Sequence, residues 1–317
     1  MYKRILVPLD GSDLALQALP YARTVSGATG AEVELLSVIE PIDAPARAQV
    51  REYAAVAAGG RPRWPTSDEL ARLQAERRNE AMKALDGIAE SFVGARRAHC
   101  IVLEGDPAQA IIDRADERAN TLIVMATHGR SGIGRWLLGS VTDTVVRHAR
   151  QPTLVIRARE EPSPSAALLK SILLPLDGSG PAEAAIPHAV EMAKALDIGI
   201  KMLHATSLLP YATSDPGESP DLFSHWIEQR QAAAHEYLNG VVKRIRAEGV
   251  RDVIKETIVG DAGASILDEL SGSGDQLVVM ATHGRSGVGR WVLGSVTDRV
   301  VRHSHGPVLV VRPDESP

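Results

Sequence analysis

Short apolar runs alternate along this chain with longer stretches whose apolar positions recur every three or four residues, the alternation of buried strands and amphipathic helices. Ile5–Leu9 reads as a first strand. A helix follows from about Asp13, with Ser12 as its N-cap. Val33–Ile39 is a second strand. Thr66 and Glu69 form a capping box opening the next helix, which sets Leu70, Leu73, Ala81, Leu85 and Ile88 along one face. Cys100–Leu103 predicts a third strand, Pro107 a helix start, Leu122–Ala126 a fourth strand, Ser140 a last helix and Thr153–Ile156 a fifth strand. The same plan then recurs, with strands at Ile172–Leu176, Ile200–Ala205, Val253–Val259, Leu277–Ala281 and Val308–Val311.

The recurrence extends to the residues themselves. Positions 126–148 read ATHGRSGIGRWLLGSVTDTVVRH and positions 281–303 read ATHGRSGVGRWVLGSVTDRVVRH, differing at Ile133/Val288, Leu137/Val292 and Thr144/Arg299. KRILVPLDGSDLALQALPYA near the start answers to KSILLPLDGSGPAEAAIPHA from Lys170. Asp10 and Asp177 are 167 positions apart (177 − 10), but Ala126 and Ala281 only 155 (281 − 126). The first half is therefore longer between these landmarks, and the excess falls in a Pro/Ala/Gly-rich loop, PIDAPARAQVREYAAVAAGGRPRWP, after strand two. REEPSPSAA reads as a linker, with the boundary near Ser165. The division is a first domain at 1–158, a linker at 159–167 and a second domain at 168–317.

Alternating strand and helix predicts an α/β fold: two tandem doubly wound, Rossmann-like domains, each a five-stranded parallel sheet with helices on both faces. Right-handed crossovers make such a sheet reverse its winding once, and ligands sit there, outside the carboxyl ends of the flanking strands. In the order 3-2-1-4-5, strands one and four flank that point. Asp10 then faces the 126–140 loop across one crevice, and Asp177 faces the 281–295 loop across another.

Of 317 residues, 44% are hydrophobic and 24% charged, which suits globular domains long enough to bury their own cores. The net charge of −5 argues against an overall match to nucleic acid or an anionic membrane. The single cysteine, Cys100, rules out an intrachain disulfide and suits a reducing compartment. The MYKRILVPLDGS start is not a signal peptide, and no apolar stretch reaches a membrane span. The expected location is the cytoplasm.

A glycine-rich loop running into a helix start is a candidate phosphate cradle, because helix N-terminal amides hold anions and glycine lets the backbone approach closely. Gly129, Gly132, Gly134 and Gly139 supply that freedom, Ser140 a hydroxyl, and Arg130 and Arg135 charge. The bland alternative makes Ser140 an N-cap, with Asp143 completing an S-x-x-D box; the two readings are compatible. No G-x-x-x-x-G-K-[ST] is present, so this is not a Walker A loop. Gly132-Ile-Gly134 begins a G-x-G-x-x-G, but Leu137 takes the third glycine position and the loop follows the fourth strand, which excludes a dinucleotide fingerprint.

With these motifs the chain resembles a tandem universal stress protein across nearly its whole length. ATP-binding members of that family carry G-x2-G-x9-G-[ST] after the fourth strand. Here it stands as Ala126-x2-Gly129-x9-Gly139-Ser140 and again as Ala281-x2-Gly284-x9-Gly294-Ser295, with P-L-D-G-S ending each first strand. The resemblance implies an adenine nucleotide, ATP, up to two per chain, with Mg2+ arriving on its phosphates. It places the adenosine by Asp10 and Asp177, after Pro8 and Pro175. Val38 and Met125 form the adenine side of the first site, Ala205 and Met280 that of the second. The phosphate loops take in Arg130, Gly132, Val141 and Thr142, and Arg285, Gly287, Val296 and Thr297. Alanine replaces the first glycine in both halves, which puts contacts near Ala126 and Ala281 in doubt, since a left-handed alanine costs about 1 kcal/mol. Ala205, smaller than Val38, suggests a looser second grip.

Several residues have two readings. Asp10 and Asp177 are turn formers or ligand contacts. His128 and His283 touch phosphate or bond locally. Trp136 and Trp291 fit packing under the loop better than base stacking. Gly105-Asp106-Pro107 and Gly260-Asp261-Ala262 border the nucleotide or cap the next helix. The His303/His305 pair is a weak metal signal, and no protein metal site is assigned. The function implied is a nucleotide-dependent regulator in stress tolerance or dormancy, acting on an unknown protein partner with little or no turnover. The competing readings are a slow ATPase or phosphotransferase, for which no base or metal-carboxylate pair is identifiable beside the loop, and a scaffold with vestigial sites. The resemblance implies an intrachain pseudo-dimer through the fifth strands, Thr153–Ile156 and Val308–Val311, and a homodimer of chains is expected beyond it.

Overall fold

The first strand, β1 (Arg4–Pro8), buries Ile5, Leu6 and Val7 completely, the signature of a strand covered on both faces. The computed structural model describes residues 2–42, 66–92, 98–127, 138–158, 168–207, 220–271, 275–283 and 293–313. The Pro/Ala/Gly-rich loop and the linker lie outside them. In the first half, β1 is followed by α1 (Asp13–Leu16), α2 (Leu19–Thr29), β2 (Glu32–Ile39), α3 (Ser67–Ala89), β3 (His99–Glu104), α4 (Pro107–Asp116), β4 (Thr121–Ala126), α5 (Ser140–His148) and β5 (Thr153–Ile156). The second half repeats this with β6 (Ser171–Pro175), α6 (Gly180–Glu183), α7 (Ala185–Leu196), β7 (Gly199–Thr206), α8 (Pro220–Ala247), β8 (Val253–Val259), α9 (Ala262–Leu270), β9 (Gln276–Ala281), α10 (Ser295–His303) and β10 (Val308–Val311).

The helix expected from Asp13 is broken in two. Pro20 has no N–H to give the carbonyl of Leu16 and crowds it, so the first turn ends and α2 restarts around the proline. Pro187 breaks α6 from α7 in the same way. Ser12 caps α1 as expected, accepting from the Ala15 amide, and Thr66 and Glu69 complete their capping box.

All ten strands form one sheet, ordered β3-β2-β1-β4-β5-β10-β9-β6-β7-β8. Each half has the order 3-2-1-4-5 with parallel neighbours, and β5 meets β10 antiparallel, Val155 opposite Val308 and Thr153 opposite Val310. The two halves therefore pair within one chain about a pseudo-twofold axis. One face of the sheet carries a single core running through both halves, from Val25 and Leu85 to Met192 and Leu238. The other face holds two cores, under α4 and α5 and under α9 and α10.

The axis is fastened by reciprocal ionic contacts. Arg147 donates to Asp143 on its own helix and to Asp298 of α10, both at 2.9 Å. Arg302 returns the pattern, to Asp298 at 2.9 Å and Asp143 at 3.0 Å. Arg157 donates to the His303 and Ser304 carbonyls, and Arg312 to those of Arg147 and His148. Each arginine thus serves the carbonyls that end the other half's helix, where the helix dipole favours a cation. Arg147→Ala is expected to cost about 1–2 kcal/mol, the worth of charged hydrogen bonds discounted for partial exposure, and to lower the urea midpoint of the whole chain. An unchanged midpoint would show that the ring does not hold the halves together.

Candidate functional site

The winding reverses between β1 and β4, and again between β6 and β9, and a crevice opens at the carboxyl end of each pair. The turn after β1 explains one wall. Asp10 Oδ1 accepts from the Ser12 amide at 3.0 Å and the Ser12 hydroxyl at 2.6 Å. Gly11 at φ 81° supplies the left-handed residue this tight turn needs. Asp177, Gly178 and Ser179 repeat it. The turn role and the crevice position of these aspartates hold together: Asp10 and Asp177 each line a cavity.

The opposite wall is the start of α5 or α10. Thr142 Oγ1 donates to the Ala126 carbonyl at 2.9 Å and Thr297 Oγ1 to that of Ala281 at 2.8 Å, so both buried threonines tie the helix start to the preceding strand end. The N-cap is Gly139, not Ser140 as the bland reading had it; Ser140 is the first helical residue and exposed. Asp143 completes no capping box, because Arg147 and Arg302 take its carboxylate. Gly294 and Ser295 match. Gly139 sits at φ −58° and Gly294 at −59°, so left-handed freedom is not what selects glycine here. Close approach is: a Cβ on Gly294 would stand 3.0 Å from the Thr282 carbonyl. The Gly139 and Gly294 amides donate to the Thr127 and Thr282 carbonyls at 2.8 Å. The next three amides on each helix precede its first internal hydrogen bond. The helices α1, α3, α4, α6 and α9 are capped by Ser12, Thr66, Asp106, Ser179 and Asp261; among the described residues α5 and α10 have no side-chain cap, and neither do α2 and α7, which restart around Pro20 and Pro187 rather than opening a crevice wall.

The first crevice brings together Pro8, Asp10, Val38, Met125, Ala126, Gly139, Ser140, Val141 and Thr142, and encloses about 420 Å3. The second brings together Pro175, Asp177, Ala205, Met280, Ala281, Gly294, Ser295, Val296 and Thr297, and encloses about 190 Å3. Gly129, Arg130, Gly132, Gly284, Arg285 and Gly287 lie outside the described residues, as do His128, Trp136 and Trp291. The alanines that replace glycine carry no strain. Ala126 and Ala281 end β4 and β9, paired with Ile156 and Val311 in extended backbone. Asp106 and Asp261 cap their helices, and the next residues, Pro107 and Ala262, border the cavities. Glu40 and Arg77 also line the first cavity. No sequence signal pointed to either, since the Pro/Ala/Gly-rich loop separates them.

His283 borders the second cavity. Its Nδ1 lies 3.0 Å from Thr282 Oγ1, and its buried Nε2 has no hydrogen-bond partner among the described residues. Burial, then the charge of Arg312, hold its pKa below the ordinary 6.5. A histidine with a depressed folded pKa favours the native state above its unfolded pKa and loses that contribution as pH falls through the folded value. The melting temperature is therefore expected to drop between pH 7 and pH 5, and to drop less in His283→Asn; equal slopes would contradict the assignment. Among the described residues no cluster of three His, Cys, Asp or Glu side chains is placed to hold a metal ion, and no helix is long and apolar enough to cross a membrane.

A sequence profile described as the Universal stress protein family matches residues 1–157 and again 169–312. A universal stress protein of Methanocaldococcus jannaschii is 34% identical over 157 residues, 50% of this chain and 83% of that protein. One of Mycolicibacterium smegmatis is 26% identical over 318 residues, 98% of this chain and 97% of that one. The crystal structure of a universal stress protein from Archaeoglobus fulgidus shares the fold, with a TM-score of 0.66 at 21% identity over 98% of each chain. With the profile matched in both halves, the chain belongs to the universal stress protein family, in its tandem form.

Proposed function

We propose that each crevice takes an adenine nucleotide, ATP, and that occupancy makes this chain a nucleotide-dependent regulator in stress tolerance or dormancy. One observation carries the reading: α5 and α10, whose N-termini have no side-chain cap among the described residues, open onto cavities whose far walls hold Asp10 and Asp177. Amides there favour an anion, and the aspartates stand where the resemblance puts the adenosine. The first cavity, at about 420 Å3, falls within the range of about 300–1,000 Å3 usual for ligand pockets. Asp143 and Asp298, near the phosphate ends, are each held by two guanidinium groups, which reduces their repulsion of an anion. Mg2+ would be held by phosphate oxygens and water. Ligand at 100 times its dissociation constant stabilises a site by about 2.7 kcal/mol, enough to couple nucleotide supply to conformation.

The enzymatic alternative has His283 on its side, an imidazole at the second cavity whose pKa lies below the ordinary 6.5 and whose Nε2 has no partner among the described residues. A slow ATPase would use it to orient water. The test pairs binding with turnover: ATP stoichiometry by equilibrium dialysis, and phosphate released over an hour. The regulator reading expects binding with no more phosphate than a binding-dead variant releases. Release that disappears in His283→Asn would favour the enzyme, and absence of ATP binding would overturn both.

A further inference from the structure

The two crevices share their inner walls and differ at the end away from the helix N-termini. The sheet order puts β2 on the side of β1 opposite β4, so the first cavity runs from Ser140 at one end to Glu40, just past β2, at the other. Arg77 of α3 lines that end of the cavity, and its guanidinium donates to the Glu40 carbonyl at 3.1 Å. In the second half Leu238-Asn-Gly of α8 matches Leu85-Asp-Gly of α3, both leucines being buried, which pairs Arg230 with Arg77 (238 − 85 = 230 − 77 = 153). Arg230 is turned to another use. Its guanidinium carbon stands 5.3 Å from the ring centre of Trp226 on the same helix. Neither Arg230 nor Ser207, the match of Glu40, is among the described residues lining the second cavity, and that cavity is less than half the size of the first.

We propose that Arg77 is a specificity-determining residue which covers the base in the first crevice, so that the chain carries a stronger nucleotide site in its N-terminal half and a weaker one in its C-terminal half. This rests on the nucleotide reading above and deepens it. A planar guanidinium over a purine face is attracted by the π system and loses little hydration on being covered. The Glu40 carbonyl engages one N–H and fixes the group at the rim, leaving its flat face for the ligand. Phosphate is not its partner, because the phosphates belong to the α5 amides at the far end. The looser second grip suggested by Ala205 thus has a larger cause on the opposite helix.

Calorimetric titration of the full-length chain with ATP, and separately with inorganic tripolyphosphate, tests this. The wild type is expected to show two ATP sites differing about tenfold or more in affinity. Ser140→Asp should remove the stronger and Ser295→Asp the weaker. Arg77→Ala should weaken the stronger site about tenfold and leave the weaker site and tripolyphosphate binding unchanged; Arg77→Lys should restore part of the loss. Two equal sites in the wild type would overturn the inference while leaving the nucleotide reading intact. So would an Arg77→Ala variant with unchanged ATP affinity, or one that weakens tripolyphosphate as much as ATP. No ATP binding by the wild type would overturn the nucleotide reading, and this inference with it.

Discussion

Ser140→Asp combined with Ser295→Asp is expected to weaken nucleotide binding about a hundredfold at each site while leaving the unliganded fold at least as stable. Both serines are the first residues of their helices, and both are exposed. A carboxylate there lies against the positive end of the helix dipole and gains about 0.3–1 kcal/mol. The same carboxylate occupies the place proposed for phosphate. Two unit charges about 4 Å apart repel by about 4 kcal/mol at an effective dielectric constant of about 20. Discounted for solvent exposure, about 2.7 kcal/mol remains, roughly a hundredfold in affinity. Ser→Ala at the same positions removes only a hydroxyl and should cost far less. Titration with ATP, alongside thermal denaturation without ligand, checks both halves of the expectation. Binding that survives the aspartates would place the phosphates elsewhere.

The second large effect is expected at the opposite end of the sheet. Glu34 on β2 is buried and holds Arg114 in a two-pronged pair at 2.7 and 2.8 Å, with the fully buried Arg4 beside it at 3.7 Å. Arg4 also donates to the Arg114 and Ala115 carbonyls and to Thr121 Oγ1, which locks β1 and β4 to the end of α4. Glu34→Ala leaves two guanidinium groups facing each other without their carboxylate. Removing one partner of a buried pair costs about 3–5 kcal/mol, and the melting temperature should fall by about 10 °C. Burial alone raises the Glu34 pKa, but the hydrogen bond and charge of Arg114, then the charge of Arg4, outweigh it and hold the carboxyl below 4.5. A depressed carboxyl stabilises the native state above its unfolded pKa, so the gap between wild type and variant should be full at neutral pH and close as pH falls below about 4.5. A gap that persists in acid would show that the loss came from packing alone.

The repeat made most of this architecture legible before any coordinates. Strand positions and both crevices follow from apolar runs and two copied motifs, and the meeting of β5 with β10 from the family resemblance those motifs carry. What escaped were helix breaks that apolar periodicity does not register and contacts between partners distant in sequence. Pro20 and Pro187 break helices that apolar spacing alone reads as continuous. Ser140 resembles an N-cap by type, yet the tie between the Gly139 amide and the Thr127 carbonyl moves the cap back by one residue. Arg77 and Glu40 meet only after the chain has crossed from β2 to α3. The buried pair at Glu34 shows the limit most plainly. The matching positions in the second half are Lys201 and Glu269, paired at 2.7 Å with the charges reversed. A search for identical residues sees two unrelated substitutions there, while electrostatics sees one preserved attraction.

In the proposed arrangement an adenine nucleotide spans each crevice, phosphates on the α5 or α10 amides and adenosine by Asp10 or Asp177. Native mass spectrometry of the full chain titrated with ATP tests it most directly. Successive mass increments of one and then two nucleotides are expected at ATP about ten times the wild-type dissociation constant, with Ser140→Asp or Ser295→Asp each removing most of one and the double variant most of both. No increment at saturating ATP, or two increments that persist in the double variant, would contradict it.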